Sequence, residues 1–127
     1  MSDVSARTAA TAAVLGLRVA YGLGLVAAPE RLAKRWLGPA AATPPTQVPL
    51  RALGVREAIL HTGALAAALG DRPVRPWLIA SVAGDLSDVA ATAAARRGLP
   101  RGALTATAIV AGASAALSAG LAAVAPR

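Results

Sequence analysis

Residues 76–95 read Pro-Trp-Leu-Ile-Ala-Ser-Val-Ala-Gly-Asp-Leu-Ser-Asp-Val-Ala-Ala-Thr-Ala-Ala-Ala. The stretch is 20 residues long, which as helix matches the ~30 Å hydrocarbon thickness of a bilayer. It also carries two carboxylates, Asp85 at its middle and Asp88 about one turn on. A charge in hydrocarbon costs several kcal/mol, so it faces a partner or a water-filled cavity. How these two acids are accommodated decides what kind of molecule this is.

Three further apolar stretches of similar length flank this one. They run from about Ala6 to Ala28, Leu50 to Leu69 and Ala103 to Ala125. Pro29, Gly38, Pro39, Pro44, Pro45 and Pro49 punctuate the first connection, Gly70, Pro73 and Pro76 the second, and Gly98, Pro100 and Gly102 the third. Proline removes a helical donor and glycine frees the backbone, so each cluster ends a helix. Short second and third connections impose opposed neighbours. The expectation is one domain: an all-α transmembrane antiparallel four-helix bundle.

The first connection is longer. Residues 29–37, Pro-Glu-Arg-Leu-Ala-Lys-Arg-Trp-Leu, read as a short interfacial helix with Pro29 in its first turn. Its expected apolar edge is Leu32, Trp36 and Leu37, and its basic edge Arg31, Lys34 and Arg35. Trp36 and Trp77 are expected to anchor at the headgroup layer. The Pro/Thr-rich residues Ala40 to Pro49 are expected to be extended. Asp3 and Arg18 argue against a cleaved signal peptide, so the first stretch reads as a retained span.

Composition agrees with lipid as the solvent. The chain has 127 residues and an apolar fraction of 56%, yet it has no Phe and only two Trp and one Tyr. A water-soluble core normally buries more large side chains, whereas small residues suit close helix packing in lipid. The competing reading is a soluble Ala-rich bundle. The net charge of +7 comes almost wholly from Arg. No aromatics interleave with a basic stripe and no groove-reading motif is present, so nucleic acid is not the expected partner. The absence of Cys excludes disulfides, thiolate chemistry and cysteine metal sites. Connections one and three hold seven basic residues: Arg31, Lys34, Arg35, Arg51, Arg96, Arg97 and Arg101. The termini and connection two hold four: Arg7, Arg72, Arg75 and Arg127. The positive-inside rule puts connections one and three in the cytoplasm of an inner (plasma) membrane protein.

Apart from Tyr21, and from Arg7 and Arg51 at their edges, six charged or titratable residues fall inside the apolar stretches: Arg18, Arg56, Glu57, His61, Asp85 and Asp88. In opposed helices, "after the middle" on odd segments and "before the middle" on even ones lie at one level. Arg18, Arg56, Glu57, Asp85 and Asp88 then fall within roughly 5 Å of one plane at ~1.5 Å rise per residue. Ser81, Asp85, Asp88 and Thr92 follow a 4-3-4 spacing and share one face, with Leu78, Ile79 and Val82 turned partly outward. Glu57 and His61 lie one turn apart and can touch, while Arg56 points about 100° away from Glu57. Arg18 shares a face with Tyr21. The fourth segment offers the hydroxyls of Thr107, Ser114 and Ser118, and Gly112, Gly120 and many Ala are expected to allow close approach.

Two arginines against three carboxylates leave one acid to be protonated, balanced by a cationic His61, or balanced by a ligand. One reading makes the group Arg18, Tyr21, Arg56, Glu57, His61, Ser81, Asp85, Asp88 and Thr92 a buried network that organises the bundle. It then either fixes packing and register alone or also serves a small polar ligand, a partner subunit or a homo-oligomer, with no cofactor or metal. The other makes Glu57, His61, Asp85 and Asp88 a site of proton transfer or metal-assisted chemistry in an enzyme or transporter. Gly84-Asp85-Leu86-Ser87-Asp88 lacks the further aspartates of membrane alcohol phosphotransferases. A single His and no Cys disfavour zinc and haem. Arg18 stands where compact multidrug exporters carry a first-helix glutamate.

One resemblance spans most of the chain. A first span closes on Pro29 and a basic segment ending Trp36-Leu37-Gly38. A second opens Arg51-Ala52-Leu53-Gly54-Val55-Arg56-Glu57, and a third carries Gly84-Asp85-Leu86-Ser87-Asp88. This plan resembles small four-span membrane proteins of actinobacteria, distantly similar to DoxX-like proteins. The resemblance implies a four-helix integral membrane protein. DoxX-like proteins are associated with quinone-linked or redox membrane complexes.

Overall fold

The computed structural model describes residues 2–125, with side chains from Ala6 to Ala125; Arg127, counted above for orientation, lies outside them. The described chain is all helix and connection. Its elements are α1 (Ser2–Ala27), α2 (Pro29–Leu37), a 3₁₀ segment (Gly38–Ala42), α3 (Pro44–Leu69), α4 (Arg75–Ala95), a 3₁₀ turn (Arg96–Gly98) and α5 (Ala103–Val124). Four of these helices, α1, α3, α4 and α5, are long and apolar enough to cross a bilayer.

α2 occupies the predicted interval. Pro29 supplies a preset φ in the first turn, where no N–H partner is needed, and Lys34 and Arg35 complement the carbonyl end. Its edge against the bundle is Pro29, Ala33 and Leu37; of the expected apolar edge Leu37 is buried, Trp36 half-buried and Leu32 exposed. The 4-4 spacing of Pro29, Ala33 and Leu37 puts all three on one face, and Leu37 and Ala33 pack with Ala41 and Leu50. Trp36 also departs from its expected role. Its indole N–H is buried without an acceptor rather than set in a wet layer.

Residues 40–49 are not extended. Gly38–Ala42 form the 3₁₀ segment and α3 starts at Pro44, six residues before the predicted Leu50. Pro44 and Pro45 fill the first turn, and the Thr43 carbonyl accepts from the Thr46 and Gln47 N–H groups at 3.0 and 3.1 Å. Pro49 follows so soon that the carbonyl it strands is that of exposed Pro45. The helix runs through it.

Contacts between helices run in opposite numerical order. Arg18 meets Glu57, Gly22 meets Gly54 and Ala58, and Arg51 donates to the Val26 carbonyl. Between α3 and α4, Arg56 meets Asp88, His61 meets Ser81 and Gly63 meets Trp77. Between α4 and α5, Asp85 meets Ser114 and Ser81 meets Ser118. α1 lies against α3 most extensively and α4 against α5. Leu99 of the third connection packs on the Leu37–Leu50 cluster, so connections one and three share one end with their basic residues.

The α1–α3 crossing is backbone on backbone. A Cβ on Gly22 would stand 2.7 Å from the Gly54 carbonyl oxygen, and one on Gly54 2.6 Å from that of Gly22. The expected role of Gly112 and Gly120 is corrected here, since both face open space. The alanines do pack as expected: α5 buries Ala103, Ala111, Ala115 and Ala122 together with Thr107 and Ser118. Leu78 also departs from expectation. It is buried with Leu15, Ala64 and Ala122, whereas Ile79 is exposed. Leu78 stands three residues before Ser81, on the inward stripe itself.

Candidate functional site

Most of the ionisable residues singled out above meet at the centre of the four long helices. The Arg18 guanidinium from α1 touches the other three. Its Nη2 donates to Glu57 Oε2 of α3 at 2.8 Å and to Asp85 Oδ1 and Oδ2 of α4 at 3.1 and 3.3 Å. Its Nη1 donates to Ser118 Oγ of α5 at 2.9 Å. Ser114 Oγ donates to Asp85 Oδ2 at 2.8 Å. The three side chains are 13%, 4% and 5% exposed, so these charges are compensated by one another.

A second ion pair lies beside the first. Arg56 Nη1 and Nη2 donate to the two Asp88 oxygens at 3.0 and 2.6 Å, a bidentate geometry. Gly84 makes this possible, since a Cβ there would stand 3.1 Å from Arg56 Cζ. The pair is about 30% exposed on each side. It joins the first group through Glu57 Oε1, which stands 3.6 Å from Arg56 Nη2. That oxygen and Arg56 Nε are buried and unbonded.

His61 closes the group from below. Its Nδ1 lies 2.7 Å from the Glu57 carbonyl oxygen, one turn earlier. A carbonyl only accepts, so Nδ1 carries a hydrogen and donates it. Its Nε2 lies 3.1 Å from Ser81 Oγ, and Ser81 Oγ lies 3.5 Å from Ser118 Oγ. With a neutral ring the bonds run in one direction: Arg18 to Ser118, Ser118 to Ser81, Ser81 to His61, His61 to Glu57. A charged ring would reverse the Ser81 bond by rotation of one hydroxyl.

Two of the predicted site residues stand apart. Thr92 is buried, but its hydroxyl donates to the Asp88 carbonyl of its own helix at 2.7 Å. Tyr21 is 42% exposed; it lies within electrostatic reach of Glu57, Asp88, Arg18 and Asp85 without a hydrogen bond to them. Thr107 likewise bonds only within its helix, to the Ala103 carbonyl. The glycines that shape the site, Gly22, Gly54 and Gly84, were not read from the sequence as such. The signal was there: Gly22 is four residues after Arg18 and Gly54 three before Glu57, on the faces that carry the paired charges.

Among the described residues, no three His, Cys, Asp or Glu side chains are grouped to hold a metal ion. Open surface clefts lie elsewhere. One of about 440 Å³ lies between Ala27–Arg31, Gln47 and Arg51. Another, of about 250 Å³, is bordered by Arg75, Ile79, Val82, Ala119, Ala122 and Ala123. No family model, curated protein or solved structure matches the chain.

Proposed function

We propose that this chain is a multi-pass protein of the inner (plasma) membrane, an antiparallel four-helix transmembrane bundle clasped at its centre by ion pairs. The observation that supports this reading is the number of polar side chains inside and of large apolar ones outside. Inside, beside Leu15, Leu25, Leu37, Leu50, Leu78 and several alanines, lie Glu57, His61, Ser81, Asp85, Thr92, Thr107 and Ser118. Outside lie Leu17, Leu23, Val55, Ile59, Ile79, Leu86, Ile109, Val110 and Leu117. Water disfavours that arrangement, whereas hydrocarbon rewards it. In lipid, small residues supply close packing and polar groups supply attraction between helices.

In this reading Arg18 is the clasp and the Arg56–Asp88 pair the rim. The rim is the partly open side of the network, with Tyr21 of α1 nearby. It is where a small polar ligand or a partner subunit, including a second copy, would meet Glu57. The basic end formed by connections one and three faces the cytoplasm and its anionic headgroups. The DoxX-like resemblance belongs to the same proposal and rests on residues 51–57 and 84–88. Membrane fractionation after an alkaline carbonate wash tests the placement. The chain stays in the pellet if it spans the bilayer; release to the supernatant contradicts it.

A second reading, proton transfer, is favoured by one observation. His61 Nε2 is joined through Ser81 and Ser118 to the Arg18–Asp85 pair, in a network with one carboxylate more than arginines. Proton uptake into proteoliposomes, followed with a trapped pH-sensitive dye, tests it. Flux lost in His61→Asn and Ser81→Ala supports transfer, and equal flux in the variants excludes it.

A further inference from the structure

We propose that the cleft where α1, α2 and α3 meet binds a phosphoethanolamine group through Arg31 and Arg51, with Glu30 taking its ammonium. The cleft has a volume of about 440 Å³ and is bordered by Ala27, Ala28, Pro29, Glu30, Arg31, Gln47 and Arg51. The cleft is open on one side, which suits a headgroup that stays partly in water.

The charges select the ligand. Two guanidiniums match a phosphate, which each can engage through paired N–H donors. Arg51 is pre-positioned: its Nε donates to the Val26 carbonyl at 3.1 Å, at the end of α1. Its terminal nitrogens remain for a ligand. Among the described residues Arg31 and Glu30 form no ion pair. The carboxylate makes the site zwitterionic rather than purely cationic. Glu30, exposed in the first turn of α2, repels a bare anion and attracts an ammonium. A quaternary choline would call for an aromatic cage, and no aromatic side chain borders the cleft. A primary ammonium satisfies a carboxylate directly.

The place agrees with the chemistry. The cleft begins at Ala27, where the apolar run of α1 ends, and lies on the end that carries Arg31, Lys34, Arg35, Arg51, Arg96, Arg97 and Arg101. In a bilayer this is the headgroup level. Phosphoethanolamine reaches it as the headgroup of a phospholipid or as the free ester. The lipid source rests on the membrane reading above; the recognition chemistry does not.

The test uses the full chain. In one arm it is reconstituted into nanodiscs holding phosphatidylethanolamine, phosphatidylglycerol and phosphatidylcholine in equal parts, and retained lipid is read by native mass spectrometry. In the other, soluble O-phosphoethanolamine is titrated into detergent-purified protein by calorimetry. The wild type is expected to retain phosphatidylethanolamine over the other two. Arg31→Gln and Arg51→Gln are each expected to lower its retention by about tenfold, the loss of one charge-assisted contact. Glu30→Gln is expected to erase the preference for ethanolamine over choline while keeping the phosphate. Arg31 has no internal partner, so Arg31→Gln leaves thermal unfolding unchanged and remains decisive if Arg51→Gln folds poorly. Arg31-dependent binding in the first arm alone identifies a lipid, and in the second a free ester; both support the site. A chain found soluble on fractionation would overturn the membrane reading, and Arg31-dependent binding of the soluble ester would still support the cleft. Retention and titration unaffected by Arg31→Gln overturn the proposal.

Discussion

Arg18 and Arg56 stand at the same level and each faces carboxylates, yet their surroundings differ. Arg18 is 13% exposed and bonded to three other helices, with two acids that are almost fully enclosed. Arg56 is 31% exposed and bonded to one acid that is equally open. The first is a junction whose removal strands charges in the interior. The second is a hinge-like bridge between α3 and α4 that solvent or a partner can reach. Charge alone does not set the importance of a buried arginine; what matters is how many partners depend on it and whether anything else can compensate them.

The largest effect should come from breaking the junction. Arg18→Leu leaves Asp85 without a cation and Glu57 with only its 3.6 Å contact to Arg56, and is expected to cost about 3–5 kcal/mol. Unfolding in mixed micelles at increasing denaturing detergent measures it. Arg56→Leu should cost clearly less on the same assay, and equal losses would erase the distinction between the two regions.

The next effect concerns the packing that brings the junction together. Gly54→Ala puts a Cβ within 2.6 Å of the Gly22 carbonyl oxygen and should cost about 2–3 kcal/mol, since backbone must move. Gly120→Ala meets nothing and should be neutral or gain up to about 1 kcal/mol from helix propensity. Comparable unfolding of the two variants would remove the glycine contact from the account.

The bridge yields a smaller and more informative signal. Arg56→Gln and Asp88→Asn should each cost about 1–2 kcal/mol, and the double variant less than their sum. Additive losses would mean that the two side chains do not depend on each other. The smallest effect expected is Ser114→Ala, about 1 kcal/mol, because Asp85 keeps its Arg18 bond when that hydroxyl is lost.

These contrasts show what the sequence could carry. The level of the charges was legible because helical rise converts position into depth. The stripe Ser81, Asp85, Asp88 was legible because spacing converts position into direction. Four long helices and the interval 29–37 followed from apolar length and breakers. What spacing left open was which helix lies closest to which. Arg18 reaches Glu57, Asp85 and Ser118 at once because Gly22 and Gly54 draw α1 onto α3, and that approach depends on two glycines thirty-two residues apart. The start of α3 was misplaced for a local reason. Pro44 and Pro45 read as breakers but serve as a first turn, where missing N–H groups cost nothing. Thr92 fitted the stripe and still does not join the network, because a threonine hydroxyl in a helix bonds readily to the carbonyl one turn back.

The central claim is that one guanidinium compensates two enclosed acids and so holds four helices together. Its most direct test is the unfolding of Arg18→Leu alone against Arg18→Leu combined with Glu57→Gln and Asp85→Asn, in the same lipid. The account predicts that neutralising both acids restores most of the stability lost with Arg18. A triple variant no more stable than Arg18→Leu alone would contradict it.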